Sequence, residues 1–289
     1  MTLTSRKAAV LGHPIAHSLS PTLHNAAYET LGLHDWKYER HDVSEDQLQG
    51  FLAQLDESWA GLSLTMPLKK VVIPLLDHVE PLAAVTGAVN TVVFSGKGKG
   101  RMLVGTNTDV YGIVAALKEG HSDSGALKHV ASAAIIGAGA TAASALAALA
   151  ELGCSRPQVF VRNLGKTAEL RGAAQRMGVQ PEYVPIDRAA KELVHMDAVI
   201  STLPPRAADR LASELAAEHQ VPHGVLLDVA YDPAPTALIS AWRELSQRPE
   251  SAVTGERMLL HQAAEQVRLM TGKPGPVNAM SEALERALS

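Results

Sequence analysis

The chain has 289 residues, 46% hydrophobic, 19% charged and only 4% aromatic, with a formal net charge of −4. That length suits two modest domains or one large one, with a core that must be aliphatic and alanine-packed. No lysine/arginine block exceeds a pair, which argues against nucleic-acid partners, and the single cysteine, Cys154, excludes an internal disulfide and a thiolate metal cluster.

After Arg6-Lys7 the apolar run extends only from Ala8 to Leu11, too short for a signal segment, and no run reaches membrane length. The expectation is a cytoplasmic protein without membrane contact. The first strand is expected over Lys7 to Leu11, closed by Gly12-His13-Pro14. Ser20-Pro21 then opens a helix, with Ser20 as N-cap, Pro21 at the first helical position and Leu23, Ala26, Ala27 and Leu31 on the apolar face; Gly32 ends it. Trp36 to Val43 reads as a strand. Ser44 and Gln47 have capping-box spacing before a helix carrying Leu48, Phe51, Leu52 and Leu55. Gly61 to Thr65 is the next strand, interrupted by Pro67. Val89 to Phe94 and Arg101 to Thr106 flank Ser95-Gly96-Lys97-Gly98-Lys99-Gly100, a hairpin signal. After Asp109, at a helix N-cap, a helix with Ile113, Val114 and Leu117 leads to the polar Gly120 to Gly125, a surface loop near a domain junction. Strands near 133–136, 158–161, 183–185, 197–201 and 225–229 then alternate with helices in a doubly wound pattern, and the segment from Gly255 is helical.

The strongest local motif lies at Ala133 to Leu149. A short apolar run stops at Gly137-Ala138-Gly139, and an alanine-rich helix follows at once, placing Gly137, Gly139 and Ala142 in the G-x-G-x-x-G/A positions of a dinucleotide fingerprint. Gly137 permits the turn, Gly139 lets a pyrophosphate approach bare backbone, and Ala142 lets the helix pack close. The phosphates would meet unpaired N–H groups at the positive end of the helix dipole. An NAD site would show a carboxylate at the end of the second strand. Here Gln158 to Val161 is followed by Arg162-Asn163, with Lys166 beyond, which suits the 2′-phosphate of NADP. Gly165-Lys166-Thr167 lacks the rest of a P-loop, there is no G-x-S-x-G or H-E-x-x-H, and His13, His17 and His24 read as loop and helix-face residues rather than ligands.

A cofactor domain does not supply the chemistry, so the first hundred residues matter. Ser18 and Ser20 stand just before a helix start, a ready site for a carboxylate, although capping by Ser20 is the simpler local reading. Lys69 follows a strand that ends at a proline, where solvation is the default. On residues alone, these alternatives stay open.

A longer set of motifs is more specific. It comprises Gly12-x-Pro14-x-x-His17-Ser18-x-Ser20-Pro21-x-x-His24-Asn25, Gly61-x-x-x-Thr65-x-Pro67-x-Lys69, Gly87-Ala88-Val89-Asn90-Thr91 and Gly105-Thr106-Asn107-Thr108-Asp109-x-x-Gly112. Ser201-Thr202, Asp228-Val229-Ala230-Tyr231-Asp232-Pro233 with Thr236, and Gly255-x-x-Met258-Leu259-x-x-Gln262-Ala263 continue it. From residue 12 to about 272 this series resembles the shikimate dehydrogenase family. The resemblance implies NADPH-dependent reduction of 3-dehydroshikimate to shikimate, on the route to chorismate and the aromatic amino acids. It implies an α/β fold in which an N-terminal substrate domain is completed by C-terminal helices (1–108 and 256–289), with a doubly wound Rossmann NADP-binding domain (109–255) inserted.

By the same resemblance, Ser18 and Ser20 bind the substrate carboxylate. Thr65, Lys69, Asn90, Asp109 and Gln262 hold the ring hydroxyls, Tyr231 assists, and Lys69 and Asp109 form the catalytic pair. NADP(H) would lie on Gly137, Ala138, Gly139, Ala140, Thr141 and Ala142, on Arg162, Asn163 and Lys166, on Ser201, Thr202 and Leu203, and on Val229, Gly255 and Met258. No metal is implied. Met258 and Gln262 are four apart, so one helical face could reach both cofactor and substrate. The chemistry agrees: hydride reaching a carbonyl carbon leaves charge on oxygen, which a lysine ammonium stabilises and protonates. Three departures stand out: Ser63 where an Asn is common, Ala140 in place of the Gly after Gly139, and Val161-Arg162-Asn163 for Asn-Arg-Thr. The competing expectations are an NAD-linked quinate/shikimate dehydrogenase and a catalytically silent metabolite sensor, and the assembly expected is a monomer or homodimer.

Overall fold

Strands up to Thr106 and strands from Ala133 onward build two separate six-stranded sheets. The computed structural model describes residues 5–96, 98–121 and 129–288. Lys97 of the expected hairpin loop, and Ser122 to Gly125 of the expected surface loop, lie outside them.

The first sheet contains β1 (Arg6–Gly12), β2 (Trp36–Asp42), β3 (Trp59–Leu64), β4 (His78–Val79), β5 (Thr91–Ser95) and β6 (Met102–Thr106), in the order β2-β1-β3-β5-β6-β4. β1 runs parallel to β2 and β3, whereas β5 pairs antiparallel with β3 and β6, so the glycine-rich connection after Ser95 is the expected hairpin. β3 is buried along its whole length because helices cover both faces of the sheet. Ser20–Thr30 and Val277–Leu288, with residues from Leu260 onward of Gly255–Thr271, pack Leu23, Tyr28, Tyr38, Val267 and Met280 on one face. Short helices at Leu48–Ala53, Leu68–Val71 and Pro81–Thr86 lie on the other, over Leu11, Leu62, Leu64 and Val92.

The second sheet contains β7 (Ala133–Ile136), β8 (Gln158–Val161), β9 (Glu182–Pro185), β10 (Ala198–Ser201), β11 (Val225–Asp228) and β12 (Ala252–Thr254), all parallel, in the order β12-β11-β10-β7-β8-β9. The chain winds outward from β7 through β9, then returns to the other side of β7 at β10. That reversal is the switch point at which open α/β sheets take their ligands. Helices Asp109–Glu119, Ala140–Glu151 and Ala168–Met177 pack on one face with Ile135, Leu146 and Val159; Asp209–Glu218 and Ala237–Ser246 pack on the other with Phe160, Val199 and Trp242. The α/β class and the doubly wound second sheet are as the sequence predicts.

The chain divides into two compact units, Met1–Thr108 with Leu259–Ser289, and Asp109–Met258. The second division falls inside the helix Gly255–Thr271, where no loop residue marks it in the sequence.

Local expectations fail in instructive ways. Ser20 is not an N-cap: it is the first helical residue, Leu19 holds the cap position, and no side chain caps the turn. Only half of the Ser44 capping box forms. The Ser44 N–H donates to Gln47 Oε1 at 3.0 Å, but its hydroxyl donates to Asp46 instead, and the helix starts at Leu48. β4 and β12, of two and three residues, are too short to carry a period, so the sequence pattern does not announce them.

Candidate active site

In the first unit, Asn90 sits just ahead of β5 and Thr108 just beyond β6, which brings both to the same end of that antiparallel pair. The backbone N–H of Thr108 donates to Asn90 Oδ1 at 2.8 Å, and Asn90 Nδ2 donates to Thr108 Oγ1 at 2.9 Å and to Gln262 Oε1 at 3.3 Å. Gln262 projects from the helix Gly255–Thr271 and donates to its own Leu259 carbonyl at 3.0 Å, which turns its oxygen toward Asn90. Two of the expected substrate residues, 172 positions apart, therefore meet in one buried cluster.

Lys69 lies on the short helix Leu68–Val71 and is half-buried. Its carbonyl accepts the Val89 N–H at 2.8 Å, while the Asn90 carbonyl accepts the Leu64 N–H at 2.7 Å, so the backbone ties the Lys69 turn to the Asn90 turn. Thr65 follows β3, its N–H donating to the Leu11 carbonyl at 2.9 Å and its carbonyl accepting from Leu68 at 2.8 Å. The Thr65 methyl fills the space at Gly12, where an added Cβ would lie 2.4 Å away, so the strand-to-loop exit at Gly12 and Thr65 are packed together. The loop beyond is pinned by His13 Nδ1 to Asp42 at 2.5 Å, by the His13 N–H to the Met66 carbonyl at 3.0 Å, and by Arg40 on the Ala16 carbonyl. Ser18 is half-buried and Ser20 buried; the Ser20 N–H donates to Ser18 Oγ at 3.4 Å. Ser63, the departure from the family pattern, is buried between Tyr38 and Gln266.

In the second unit, Gly137 ends β7 with its N–H on the Phe160 carbonyl at 2.9 Å and a φ of 113°, and an added Cβ would lie 2.5 Å from Thr202 Oγ1. Gly139 caps the helix Ala140–Glu151, and an added Cβ there meets nothing within 4 Å. That bare approach to a helix N-terminus fits a pyrophosphate. Ala142 is buried against the sheet, while Ala138, Ala140 and Thr141 are half-buried around the turn. Thr202 bonds the Ile136 carbonyl through both its N–H, at 2.8 Å, and its hydroxyl, at 2.9 Å, which holds Ser201-Thr202-Leu203 beside the glycine turn. Val229 donates to the Ser201 carbonyl at 3.0 Å, and Gly255 lies so close to the Val229 carbonyl that a Cβ would sit 2.2 Å from it. Asp109 is buried at the first turn of the helix Asp109–Glu119, and Met258 is buried near the start of Gly255–Thr271.

Arg162 and Lys166 are exposed just past β8, and Asn163 uses its Oδ1 locally, accepting the Gly165 N–H at 2.8 Å to cap a short turn. Arg162 opens onto a cavity of about 450 Å³ that also carries Asp187, Arg210 and Glu214, with Arg210 paired to Glu214 at 2.7 Å. Burial pushes the Tyr231 hydroxyl and the Asp228 carboxyl up from their ordinary values; Thr236, donating to Asp228 at 2.7 Å, opposes the shift on Asp228. Asp228 thus acts as a buried anchor for the turn that carries Tyr231.

Sequence reasoning missed Gln266 and gave no site role to the polar side chains around it, His24, Tyr38 and Thr91. The available signal was a second glutamine four residues after Gln262, on the same face of the helix.

The fold and the glycine turn define a two-unit oxidoreductase of the dinucleotide-dependent class. Residues 10–92 match the family model described as the shikimate dehydrogenase substrate binding domain, and residues 255–285 match the shikimate 5′-dehydrogenase C-terminal domain. Between them, residues 132–231 match a model described as NADP oxidoreductase, coenzyme F420-dependent. The shikimate dehydrogenase (NADP(+)) of Methanothermobacter thermautotrophicus is 34% identical, over 97% of this chain and 96% of its own length. The solved shikimate dehydrogenase of Mycobacterium tuberculosis is 37% identical with a TM-score of 0.84, covering 97% of this chain and 99% of that one. The shikimate 5-dehydrogenase of Thermus thermophilus, solved with NADP(H) and shikimate, is 34% identical with a TM-score of 0.78, covering 98% of this chain and 100% of that one. The chain belongs to the shikimate dehydrogenase family.

Proposed function

We propose that this chain catalyses the reversible, NADP-linked interconversion of 3-dehydroshikimate and shikimate. The observation that carries the reading is the buried Asn90–Thr108–Gln262 cluster, which gathers hydroxyl-binding side chains from distant segments beside the Lys69 turn. When bound, NADPH supplies a hydride to the ring carbonyl carbon. Lys69 stabilises the oxyanion that develops and delivers the proton to it; in the reverse direction it takes that proton back. Asp109 is its charge partner. Asn90, Gln262 and Thr65 hold the ring hydroxyls, Tyr231 assists, and Ser18 and Ser20 bind the carboxylate. The Ser18 and Ser20 assignment is supported by the failure of Ser20 to cap its helix, which removes the simpler use of that hydroxyl.

Arg162 and Lys166 grip the 2′-phosphate, and the turn from Gly137 through Ala142 carries the pyrophosphate. An NAD-linked relative needs a carboxylate at the end of β8, where Arg162 stands, and a silent sensor has no use for Lys69 and Asp109 together. The reading extends to a cytoplasmic monomer or homodimer with no nucleic-acid partner, supported by the net charge of −4 and the lack of basic blocks.

Lys69→Ala tests the proposal. The turnover number should fall by about 10²- to 10⁴-fold with the shikimate Michaelis constant little changed. An unchanged turnover number removes Lys69 from the chemistry.

A further inference from the structure

Behind Asn90 runs an unbroken chain of buried hydrogen bonds. Tyr38 Oη donates to Ser63 Oγ at 2.6 Å, Ser63 donates to Gln266 Oε1 at 2.7 Å, Gln266 Nε2 donates to Thr91 Oγ1 at 2.9 Å, and Thr91 donates to Asn90 Oδ1 at 2.8 Å. Every member is nearly inaccessible to solvent.

The proton count allows one direction only. Were the Gln266 amide reversed, the one N–H it would aim at Ser63 and the two hydroxyl protons of Tyr38 and Ser63 would be three protons for the two contacts that join them, stranding one in the core. The reversed amide would also aim its oxygen at the Asn90 carbonyl, which now faces Gln266 Nε2 at 3.5 Å. His24 packs against the same amide. It stacks on Tyr38, with ring centroids 3.9 Å apart, and its Nε2 lies 3.1 Å from Gln266 Oε1. Burial pushes His24 down to about 3, so the ring is neutral, and with the amide oxygen held toward Ser63 the tautomer that matches is the one whose Nε2–H donates to Gln266 Oε1.

We propose that Gln266 is a positioning residue for the reaction: acting through Thr91, it fixes which way the Asn90 side-chain amide points, and with it the N–H that Asn90 gives to Gln262 Oε1 at 3.3 Å and would turn to a substrate hydroxyl. This rests on the reading of Asn90 as a substrate ligand. Thr91 is the coupling element, because its hydroxyl can donate to Asn90 with full strength only while a donor occupies its lone pair. The Thr108 N–H holds the same Asn90 oxygen from the other side.

A double-mutant cycle on the full-length protein tests this, read as the shikimate dissociation constant by calorimetry with NADP(H) affinity as control. Asn90→Ala and Gln266→Leu should each weaken shikimate about tenfold, and the double variant should be no weaker than the worse single. Thr91→Val should reproduce the Gln266→Leu effect, and it closes the same cycle if Gln266→Leu does not fold. In steady state the shikimate Michaelis constant should rise in the single variants while that for NADP⁺ stays put, a split that general destabilisation does not produce. A roughly hundredfold loss in the double variant, or unchanged shikimate affinity in Gln266→Leu, overturns the proposal and leaves Asn90 as a ligand. Unchanged affinity in Asn90→Ala overturns both.

Discussion

The two sheets have the same number of strands and helices on both faces, yet they prepare their ligand sites by different means. The second uses backbone: a glycine with positive φ, a glycine open to solvent, a helix N-terminus, and a hydroxyl that braces the turn by bonding the Ile136 carbonyl. Its core is aliphatic and alanine-rich. The first uses side chains: a threaded set of amides, hydroxyls and an imidazole, buried between sheet and helix and hydrogen-bonded to one another. A backbone site reads a group common to many ligands, on the proposed reading a pyrophosphate, and needs only small residues at fixed spacing. A side-chain site reads a particular pattern of hydroxyls, and each donor must be held against rotation from behind.

That contrast can be broken from either side, the largest effect falling on the exception within the backbone site. Arg162 is the side chain that should choose the cofactor there. Arg162→Ala should raise the Michaelis constant for NADP by about ten- to a hundredfold, the loss of one or two charge-assisted bonds, while leaving that for NAD nearly unmoved. Equal losses with both cofactors would mean that Arg162 serves the fold rather than the 2′-phosphate.

Gly137→Ala sharpens the same side. The substitution forces a Cβ to 2.5 Å from Thr202 Oγ1 at a φ of 113°, so thermal unfolding of the second unit should lose about 1–3 kcal/mol together with dinucleotide affinity. An unshifted unfolding midpoint would show that the turn is not a backbone constraint.

On the side-chain side, the effect is a pH dependence, small over any one pH unit. His24 is held neutral by burial, well below its ordinary value of 6.5. The unfolded chain therefore binds a proton that the folded chain refuses, and the stability gained from a neutral His24 is full above about pH 6.5 and drains as the pH falls toward 3. The wild type should lose up to about 1.4 kcal/mol per pH unit more than His24→Phe across that window, measured by denaturant unfolding. Parallel pH profiles would remove His24 from the buried relay.

The contrast also explains what could be read from the sequence. The second unit is legible almost strand by strand, since β7, β8, β10 and β11 are short, mostly buried runs bounded by turns and the fingerprint is contiguous. Arg162 is legible because position, not charge alone, singles it out. In the first unit, Asn90 and Gln262 are 172 residues apart, and no spacing rule joins them; the family motifs do. Gln266 escapes even those, because its partners Tyr38, Ser63 and Thr91 lie on three different strands or their margins, and a buried amide in a helix looks like any polar residue until its neighbours are in place. Ser20 is misassigned for the opposite reason. The local capping rule is sound, but Leu19 takes the cap position and leaves the Ser20 hydroxyl for another use.

The central claim is that the side-chain site selects shikimate and the Arg162 end of the backbone site selects NADP. The measurement that tests both at once is the set of four specificity constants for shikimate or quinate with NADP or NAD, followed by reduced-nicotinamide absorbance. Shikimate with NADP should exceed each of the other three pairs. Comparable constants for NADP and NAD, or for quinate and shikimate, would contradict it.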